Sequence, residues 1–501
     1  MRFPRSCGCL VHPTSFPGKY GMGDFGSEAR TFIDFLQRTH QTIWQVLPLT
    51  PTGYGNSPYA SYSAFAGNVY LISPDILHNK GLLTEKEIKS IELPSKETAD
   101  YDSSFQNKDR VYQLAADRFY ENISKDEEKA FDAFKKRNKH WLDDYVLFMA
   151  CSLHYDKQPW NTWDPDLAQR KPKALKSYRK KFSKEIKLQY WLQFEFDNQW
   201  NDLKNYANER NIRVVGDIPI FVDHNSADVW ANPKYFEVDE QGNRQLVAGV
   251  PPDYFSKTGQ LWGNPLYKWD ELEKDGFSWW IDRFKHMFNA CDAIRVDHFR
   301  GFDAYWEVDA SQKTAEVGEW VDGPGKKLFD AILEKCGELP IIAEDLGFMT
   351  EGVQKLRDNY NFPGMKIIQF AFDSDSTNSF LPHNYSQNSV VYSGTHDNDT
   401  TIGWYNTAGQ TEQHRARTYT RSSGEEMHWE FIRLGMISVS DQAIFPLQDY
   451  MGLDGSHRMN VPGTSSGNWL WRYTTKMLEQ VDEEQIKHLA DLSNRQINSN
   501  T

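Results

Sequence analysis

The sequence contains little cysteine and no long hydrophobic run. Of its 501 residues five are cysteines, and the C-x-C spacing of Cys7 and Cys9 lacks the second pair that a structural zinc site needs. No apolar stretch reaches the length of about 18 residues that a membrane-spanning helix requires. The N-terminal segment also lacks the uninterrupted apolar core of a signal peptide. We therefore expect a soluble, reduced, cytoplasmic protein without a membrane partner.

An excess of basic residues is also missing. The formal net charge is −14, whereas nucleic acid or an anionic membrane surface would require a cluster of Lys and Arg. Neither a G-x-G-x-x-G motif nor a P-loop opens a helical segment, which disfavours a nucleotide-binding fold. We expect no nucleic-acid partner. A neutral substrate fits the composition better, although an acidic surface mostly reflects solubility.

What the sequence does contain is a series of short β-type runs that lead into acidic residues. Helical stretches separate the runs, and strands that alternate with helices indicate a parallel α/β sheet. In a closed barrel the carboxyl ends of the strands share one face, so the acids would converge there. We predict an α/β fold, a (β/α)8 TIM barrel with helical and loop insertions; an open doubly wound sheet is the alternative. The runs are 212–215 before Asp217, 293–296 before Asp297, 341–343 before Glu344 and 390–393 before Asp397.

Two stretches interrupt the alternation of strands and helices. The first is rich in Lys and Glu and has helical periodicity, which predicts a largely helical insertion over about residues 50–190. The second is rich in Pro, Gly, Asn and aromatic residues, which favours a loop insertion at the active site over about residues 224–272. The predicted organisation is a single catalytic barrel over residues 1–501 that carries both insertions.

Arg295 and Asp297 are two residues apart in one of the predicted strands. Because side chains alternate along a strand, both point to the same face. A guanidinium beside a carboxylate holds the carboxylate ionised and oriented, as a nucleophile requires. A purely structural Arg–Asp pair is the alternative interpretation of this motif.

Three acids that meet at one face of a barrel repel one another unless one of them keeps its proton. This repulsion raises the pKa of a general acid, a role that we assign to Glu344. The adjacent Asp345 is a rival, but the pleat sends neighbouring side chains to opposite faces. Clustered acids with His298 and His396 could also bind Mg²⁺ or Ca²⁺. No metal-binding motif supports such a site, and we expect neither a metal nor a cofactor.

Several motifs resemble those of the 4-α-glucanotransferase family, also called amylomaltases or disproportionating enzymes, in the α-amylase clan. The R-x-D and H-D-N patterns alone mark the wider clan, whereas the full set is specific to the transferases. The motifs follow in order along nearly the whole chain. They are HPTS (12–15), GNSPYASYSAFAGN (55–68), GDIPI (216–220), PPDYFSKTGQLWGNPLY (251–267), RVDHFRG (295–301), IIAEDLG (341–347), GTHDNDT (394–400) and RMN-PGT (458–464, with Val461 in the gap).

The resemblance implies a retaining double displacement on α-glucans. Asp297 would attack the anomeric carbon, Glu344 would act first as acid and then as base, and Asp397 would stabilise the oxocarbenium-like transition state. Arg295 and His396 would contact the nucleophile and the reacting glucose. The implied partners are maltooligosaccharides, amylose or glycogen-derived glucans, with glucose as an acceptor, and long glucans could also be cyclised.

Further residues in the motifs are implied as sugar ligands. Aromatic loop residues could stack glucose rings and exclude water, which would favour transfer to a sugar over hydrolysis. Some of them could instead pack the insertions against the barrel. The candidate substrate-binding residues are Tyr54, Tyr59, Asp217, Tyr254, Phe255, Trp262 and Asn460, whereas Trp44, Trp191 and Trp200 are assigned to the core. An α-glucan hydrolase remains an alternative, because the carboxylates cannot distinguish the two reactions. A non-catalytic sugar-binding barrel is disfavoured by the presence of all three carboxylates.

Overall fold

The computed structural model describes residues 3–252 and 256–496. In this part of the chain eight parallel strands close into a barrel, and each barrel strand pairs with the barrel strands before and after it along the chain. The TIM-barrel prediction is confirmed. The strands of the described residues are β1 (Ser6–Leu10), β2 (Ile43–Gln45), β3 (Arg213–Pro219), β4 (Leu246–Val250), β5 (Gln260–Pro265), β6 (Ala293–Asp297), β7 (Ala304–Asp309), β8 (Glu319–Asp322), β9 (Ile341–Ala343), β10 (Gly364–Ile367), β11 (Ser389–Tyr392) and β12 (Gln442–Pro446). The barrel consists of β1, β2, β3, β6, β9, β10, β11 and β12, and β12 pairs with β1 to close it.

Helices cover the outside of the barrel and form most of the connection between β2 and β3. The helices of the described residues are α1 (Ser27–Arg38), α2 (Pro74–Asn79), α3 (Glu85–Lys89), α4 (Tyr101–Asn122), α5 (Lys125–Arg137), α6 (Lys139–His154), α7 (Pro165–Ala168), α8 (Pro172–Lys181), α9 (Ser183–Asn208), α10 (Ala227–Ala231), α11 (Trp269–Lys274), α12 (Ser278–Ala290), α13 (Gly325–Cys336), α14 (Glu351–Asn359), α15 (Thr401–Thr407), α16 (Gln410–Thr420), α17 (Met427–Ile437), α18 (Leu447–Tyr450), α19 (Thr475–Glu479) and α20 (Glu483–Leu492).

The barrel strands are almost entirely buried, which is why their sequences are apolar runs without a polar face. Every residue of β1, β11 and β12 is buried. The close approach of β1 to β2 requires a glycine, because a Cβ at Gly8 would lie 2.1 Å from the carbonyl oxygen of Ile43. Trp44, Trp191 and Trp200 are all buried, so their assignment to the core is confirmed.

The connection between β2 and β3 carries the helices α2 to α8 and ends in α9, which is 26 residues long. Helix α9 packs against β3 of the barrel and against α6 of the connection. Along this helix Trp191 belongs to the core cluster of the helical layer, whereas Trp200 belongs to the cluster around β1 and β2. One helix therefore contributes to both cores and fixes the helical insertion against the side of the barrel.

A small antiparallel sheet stands beside the barrel, with the strand order β5-β4-β7-β8. Strands β4 and β5 come from the segment 224–272, which also contains α10 and α11. The segment is therefore more regular than the loop that its composition suggests. The physical reason is that β4 pairs with β7, which follows β6 in the chain, so the sheet joins segments that no local sequence pattern connects.

No helix in residues 3–252 and 256–496 is long and apolar enough to cross a membrane. The five cysteines all lie in these residues and form no disulfide. Burial raises the pKa of Cys7 to about 12, and it likewise raises the pKa of Cys9. These thiols therefore stay protonated and behave as small core side chains.

Candidate active site

Asp297 ends β6 at the mouth of the barrel. Arg295 lies two residues earlier on the same strand, and its Nη2 contacts Asp297 Oδ1 at 2.8 Å. The same guanidinium donates from Nη1 to Asp217 Oδ2 at 2.8 Å. The Arg295 side chain is 3% exposed and that of Asp297 is 28% exposed, so the cation is buried behind a carboxylate that faces the cleft. A carboxylate oriented in this way is suited to nucleophilic attack.

Glu344 follows β9, the barrel strand next to β6. Its Oε2 accepts a hydrogen bond from the backbone N–H of His298 at 2.7 Å, and its Oε1 accepts one from that of Leu346 at 3.0 Å. Burial raises the pKa of Glu344 to about 7; Arg295 opposes this shift and Asp297 adds to it. A carboxyl group with this pKa can donate a proton at neutral pH and later take one up.

The pKa of Glu344 predicts a pH dependence. The motifs imply that Glu344 protonates a sugar leaving group, so kcat/KM for maltotriose should fall about tenfold per pH unit above about pH 7. A fluoride leaving group departs without protonation, so the rate at which α-glucosyl fluoride releases fluoride should not show this basic limb. Initial rates with both donors across neutral and basic pH check the expectation. An identical basic limb for both donors would contradict the role of Glu344 as acid.

Asp345, the rival of Glu344, points away from the cleft. Its Oδ1 accepts a hydrogen bond from the backbone N–H of Met365 at 2.7 Å. Its Oδ2 pairs with Arg357 Nη1 at 2.5 Å. The pleat thus places the two neighbouring acids on opposite sides, as the sequence predicts.

Asp397 follows β11 and is held from two directions. Its Oδ1 accepts a hydrogen bond from Asn460 Nδ2 at 2.6 Å, and its Oδ2 lies 3.3 Å from His396 Nε2. Removal from bulk water would raise the pKa of Asp397, but His396 and Asn460 outweigh this effect and hold the pKa below its usual range. The side chain is nevertheless 43% exposed. Asp397 therefore presents an ionised carboxylate of fixed orientation to the cleft.

Asp217 and Tyr59 form the floor of the site. The hydroxyl of Tyr59 donates to Asp217 Oδ2 at 2.8 Å, and its ring stacks on that of His396 with centroids 5.2 Å apart. Burial raises the pKa of Asp217 to about 6, while Arg295 acts in the opposite direction. Among the described residues Asp217 Oδ1 has no hydrogen-bond partner. A buried oxygen of this kind can accept a hydroxyl group or a water molecule.

Comparisons with known proteins match this geometry to a family. A family model described as 4-alpha-glucanotransferase covers residues 11–478. The chain belongs to this family. It is 48% identical to the 4-alpha-glucanotransferase of Synechocystis sp. over 98% of each chain, and 46% identical to that of Thermus thermophilus over 99% of this chain and 100% of the relative. The solved structure of an amylomaltase from Streptococcus agalactiae in complex with acarbose is similar with a TM-score of 0.95 and 38% identity, and the match covers 98% of this chain and 100% of that chain.

Membership of the 4-α-glucanotransferase family confirms the resemblance that the motifs carry, and it identifies the chain as an enzyme. The structure brings most of the predicted site residues of this glucanotransferase into one cleft. Those whose side chains meet there are Tyr59, Asp217, Trp262, Arg295, Asp297, Glu344, His396, Asp397 and Asn460. Tyr254 and Phe255 lie outside the described residues, and for Tyr54 only the backbone is described, in the 3-10 turn Tyr54–Asn56.

Trp262 on β5 contacts His298, the residue whose backbone N–H bonds Glu344. It is 39% exposed, and its ring contacts the ring of His298 edge-on with centroids 4.7 Å apart. The backbone N–H of His298 is the group that donates to Glu344. An exposed indole in this position borders the space into which a leaving or incoming sugar would fit.

Two residues near Asp397 were not among the predicted site residues. Trp469 contacts the rings of both Tyr59 and His396, with centroids 5.8 and 6.0 Å apart. Arg458 Nη2 donates to the backbone oxygen of Asp397 at 2.9 Å. Arg458 begins the RMN-PGT motif, so the motif could have indicated it as a site residue. Trp469 has φ of 65° and lies in an irregular segment, where no periodic pattern of the sequence indicates it.

Within the described ranges no group of three or more His, Cys, Asp or Glu side chains is arranged to hold a metal ion. His396 instead pairs with Asp397, whose charge raises the pKa of the imidazole against the effect of burial. Burial lowers the pKa of His298 to about 4, so its ring is neutral at neutral pH. The carboxylates are thus ordered by side-chain cations, an amide and backbone N–H groups of the protein itself.

Proposed function

We propose that this enzyme transfers α-1,4-linked glucan segments by a retaining double displacement. The donors are maltooligosaccharides, amylose or glycogen-derived glucans, and the acceptor is another glucan or glucose. The observation that carries the mechanism is the pair of acids at the ends of the neighbouring strands β6 and β9. Arg295 holds Asp297 at 2.8 Å, while the pKa of Glu344 is raised to about 7. One group is ready to attack and the other to donate a proton.

In the first step Asp297 attacks the anomeric carbon. The bond from this carbon to the carboxylate oxygen forms as the bond to the leaving sugar oxygen breaks, and the proton of Glu344 moves to that oxygen. In the second step the hydroxyl of an acceptor sugar attacks the same carbon and gives its proton to Glu344. As the new bond forms, the bond between this carbon and the Asp297 carboxylate breaks. Two inversions leave the new bond in the α configuration. An acceptor hydroxyl on the same glucan chain would give a ring.

Asp397 has a different role in this scheme. Both of its oxygens are already engaged, Oδ1 by Asn460 and Oδ2 by His396, whereas Arg295 contacts Asp297 at Oδ1, and the low pKa of Asp397 keeps it charged. We assign it to hydroxyl groups of the distorted sugar, where its charge stabilises the developing oxocarbenium ion. Tyr59 and Asp217 supply the floor on which the reacting glucose rests.

The choice between transfer and hydrolysis depends on whether a sugar hydroxyl or a water molecule reaches the covalent intermediate. The exposed ring of Trp262, which contacts His298, offers an apolar surface that a sugar covers better than water does. Tyr254, Phe255 and Tyr54 are proposed to extend this surface on the strength of their motifs. The unpaired cysteines suit a reducing compartment, so we place the reaction in the cytoplasm. Side chains supply both the nucleophile and the proton, and the scheme needs no cofactor.

Maltotriose as the single substrate tests transfer. Exchange of sugar segments between two molecules conserves the number of glycosidic bonds, so glucose and products longer than the substrate should appear while the total of reducing ends stays constant. Anion-exchange chromatography of the products together with a reducing-end assay measures both quantities. A steady rise in reducing ends without longer products would show hydrolysis and overturn the proposal.

A further inference from the structure

The exposed Trp and Phe side chains lie in the connections that follow three neighbouring barrel strands, β3, β6 and β9. Among the described residues these are Trp262, Trp320 and Phe348, which are 39%, 43% and 76% exposed. Large aromatic side chains normally lie inside a protein, and most of the others here do. Exposed apolar groups that cluster beside a functional cleft mark a contact surface for a ligand.

Phe348 is held in its exposed position by the loop that carries Glu344. Gly347 has φ of 85°, a conformation that favours glycine, and it turns the chain between these two residues. The backbone oxygen of Phe348 accepts a hydrogen bond from Arg300 Nη1 at 2.9 Å. The ring is thus presented to solvent by a constrained backbone only four residues beyond the acid.

Arg300 joins Phe348 to Trp320. It belongs to the RVDHFRG motif, is 6% exposed, and its guanidinium carbon lies 3.9 Å from the centre of the Trp320 ring. A guanidinium stacked on an indole fixes the plane of that ring. The proposed chemistry does not use Arg300, so its burial at this point needs another explanation.

Trp320 is also supported from its own sheet. It lies on the edge strand β8, opposite Trp306 of β7, and the two rings meet at an interplanar angle of 64° with centroids 5.3 Å apart. Gly318 permits this contact, because a Cβ there would lie 2.7 Å from the Trp306 ring. Trp320 is therefore a rigid aromatic surface rather than a freely moving side chain.

The position of this surface relative to the carboxylates decides what it can bind. Asp397, with Tyr59 and His396, lies on one side of the reacting centre, whereas Glu344 lies with Trp262 and the loop of Phe348 on the other. The acid protonates the leaving sugar and later deprotonates the acceptor, so both occupy the Glu344 side. Phe348 lies in the loop that follows β9, and Arg300 in the turn that follows β6, at the same strand ends as Glu344 and Asp297.

We propose that Trp320 and Phe348, positioned by Arg300, form a stacking surface for glucose units of an acceptor glucan beyond the unit that reacts. The apolar faces of glucose rings pack on flat aromatic side chains. This inference rests on the proposed function, since it presumes an acceptor glucan. The surface gives the enzyme a preference for long acceptors over glucose.

Acceptor competition tests the proposal. An α-maltotriosyl fluoride donor glycosylates the enzyme without leaving a sugar on the acceptor side, after which glucose and maltohexaose compete as acceptors. In Phe348→Ala and in Trp320→Ala the ratio of kcat/KM for maltohexaose to that for glucose should fall about three- to tenfold relative to the wild type. Leu333→Ala, a change of an exposed apolar residue on α13, serves as the control and should leave the ratio unchanged.

The outcomes separate this proposal from the proposed function. If the wild type releases fluoride and forms only hydrolysis products, the transferase proposal fails. If it transfers to both acceptors and neither aromatic substitution changes the ratio, the stacking surface is wrong although transfer stands. Thermal unfolding shows whether Trp320→Ala disturbs the small sheet. If Trp320→Ala disturbs the sheet, the acceptor ratio of Phe348→Ala decides whether the stacking surface exists, because this substitution removes a side chain that is 76% exposed.

Discussion

Glu344→Gln is expected to lower kcat for maltotriose by about 10²- to 10⁴-fold and to trap a sugar on Asp297 when α-glucosyl fluoride is the donor. The amide has no proton to give to a sugar leaving group, whereas fluoride leaves without one. Glycosylation can therefore proceed, but no base remains to activate the acceptor hydroxyl in the second step. The backbone N–H groups of His298 and Leu346 each donate to one oxygen of Glu344. In Glu344→Gln one of these oxygens becomes an amide nitrogen, so one N–H loses its acceptor, and this adds to the loss of kcat.

Mass spectrometry of the protein and of its peptic fragments measures the adduct and its position. Asp345→Asn is the matched control, because it makes the same chemical change one residue further, on a side chain that faces Arg357 instead of the cleft. Its folded fraction should retain turnover and accumulate no adduct. A sugar attached to Asp397 instead of Asp297 would refute the assignment of the nucleophile.

Arg295→Met should lower the rate of fluoride release from α-glucosyl fluoride by about 10²- to 10³-fold. The guanidinium is buried between Asp217 and Asp297, with 2.8 Å contacts to each. Arg295 is the largest influence that opposes burial and the charge of Asp297, so without it the pKa of Asp217 rises further and the nucleophile loses its orientation. The kcat/KM for fluoride release reports only the steps up to glycosylation, which separates this effect from the proton transfer by Glu344.

Arg357→Met provides the comparison for this experiment, since it also removes a cation from a carboxylate near the barrel mouth but outside the cleft. The circular-dichroism melting curves of both variants show whether the protein remains folded. A loss of less than about tenfold in folded Arg295→Met would mean that the pair is mainly structural, the alternative that the motif alone leaves open.

The sequence was sufficient to place the acids because each of them ends a barrel strand or follows one within a few residues. Period-two alternation puts Arg295 and Asp297 on one side, and they lie 2.8 Å apart. The same alternation separates Glu344 from Asp345, whose partner is Arg357. These relations span one or two residues, so covalent geometry alone determines them.

Relations between distant segments could not be predicted in this way. Composition indicated a loop over 224–272, but β4 pairs with β7, which lies beyond β6. Trp469 reaches Tyr59 and His396 from an irregular segment near the end of the chain. Arg300 stands in a recognised motif, yet its contact with Trp320 depends on how the small sheet packs. No periodicity in the sequence encodes such contacts.

By itself, the sequence determined the barrel, the family and the acids that stand at the ends of its strands, because strand periodicity and motif order are local properties of the chain. Only the tertiary structure decided the state of those acids. The pKa of about 7 for Glu344 arises from burial. The pKa of Asp397 is lowered mostly by the neighbouring His396 and further by Asn460, which donates to it from a distant loop at 2.6 Å. Desolvation and charge interactions of this kind exist only once separate segments have packed together, and so does the aromatic surface formed by Trp320 and Phe348.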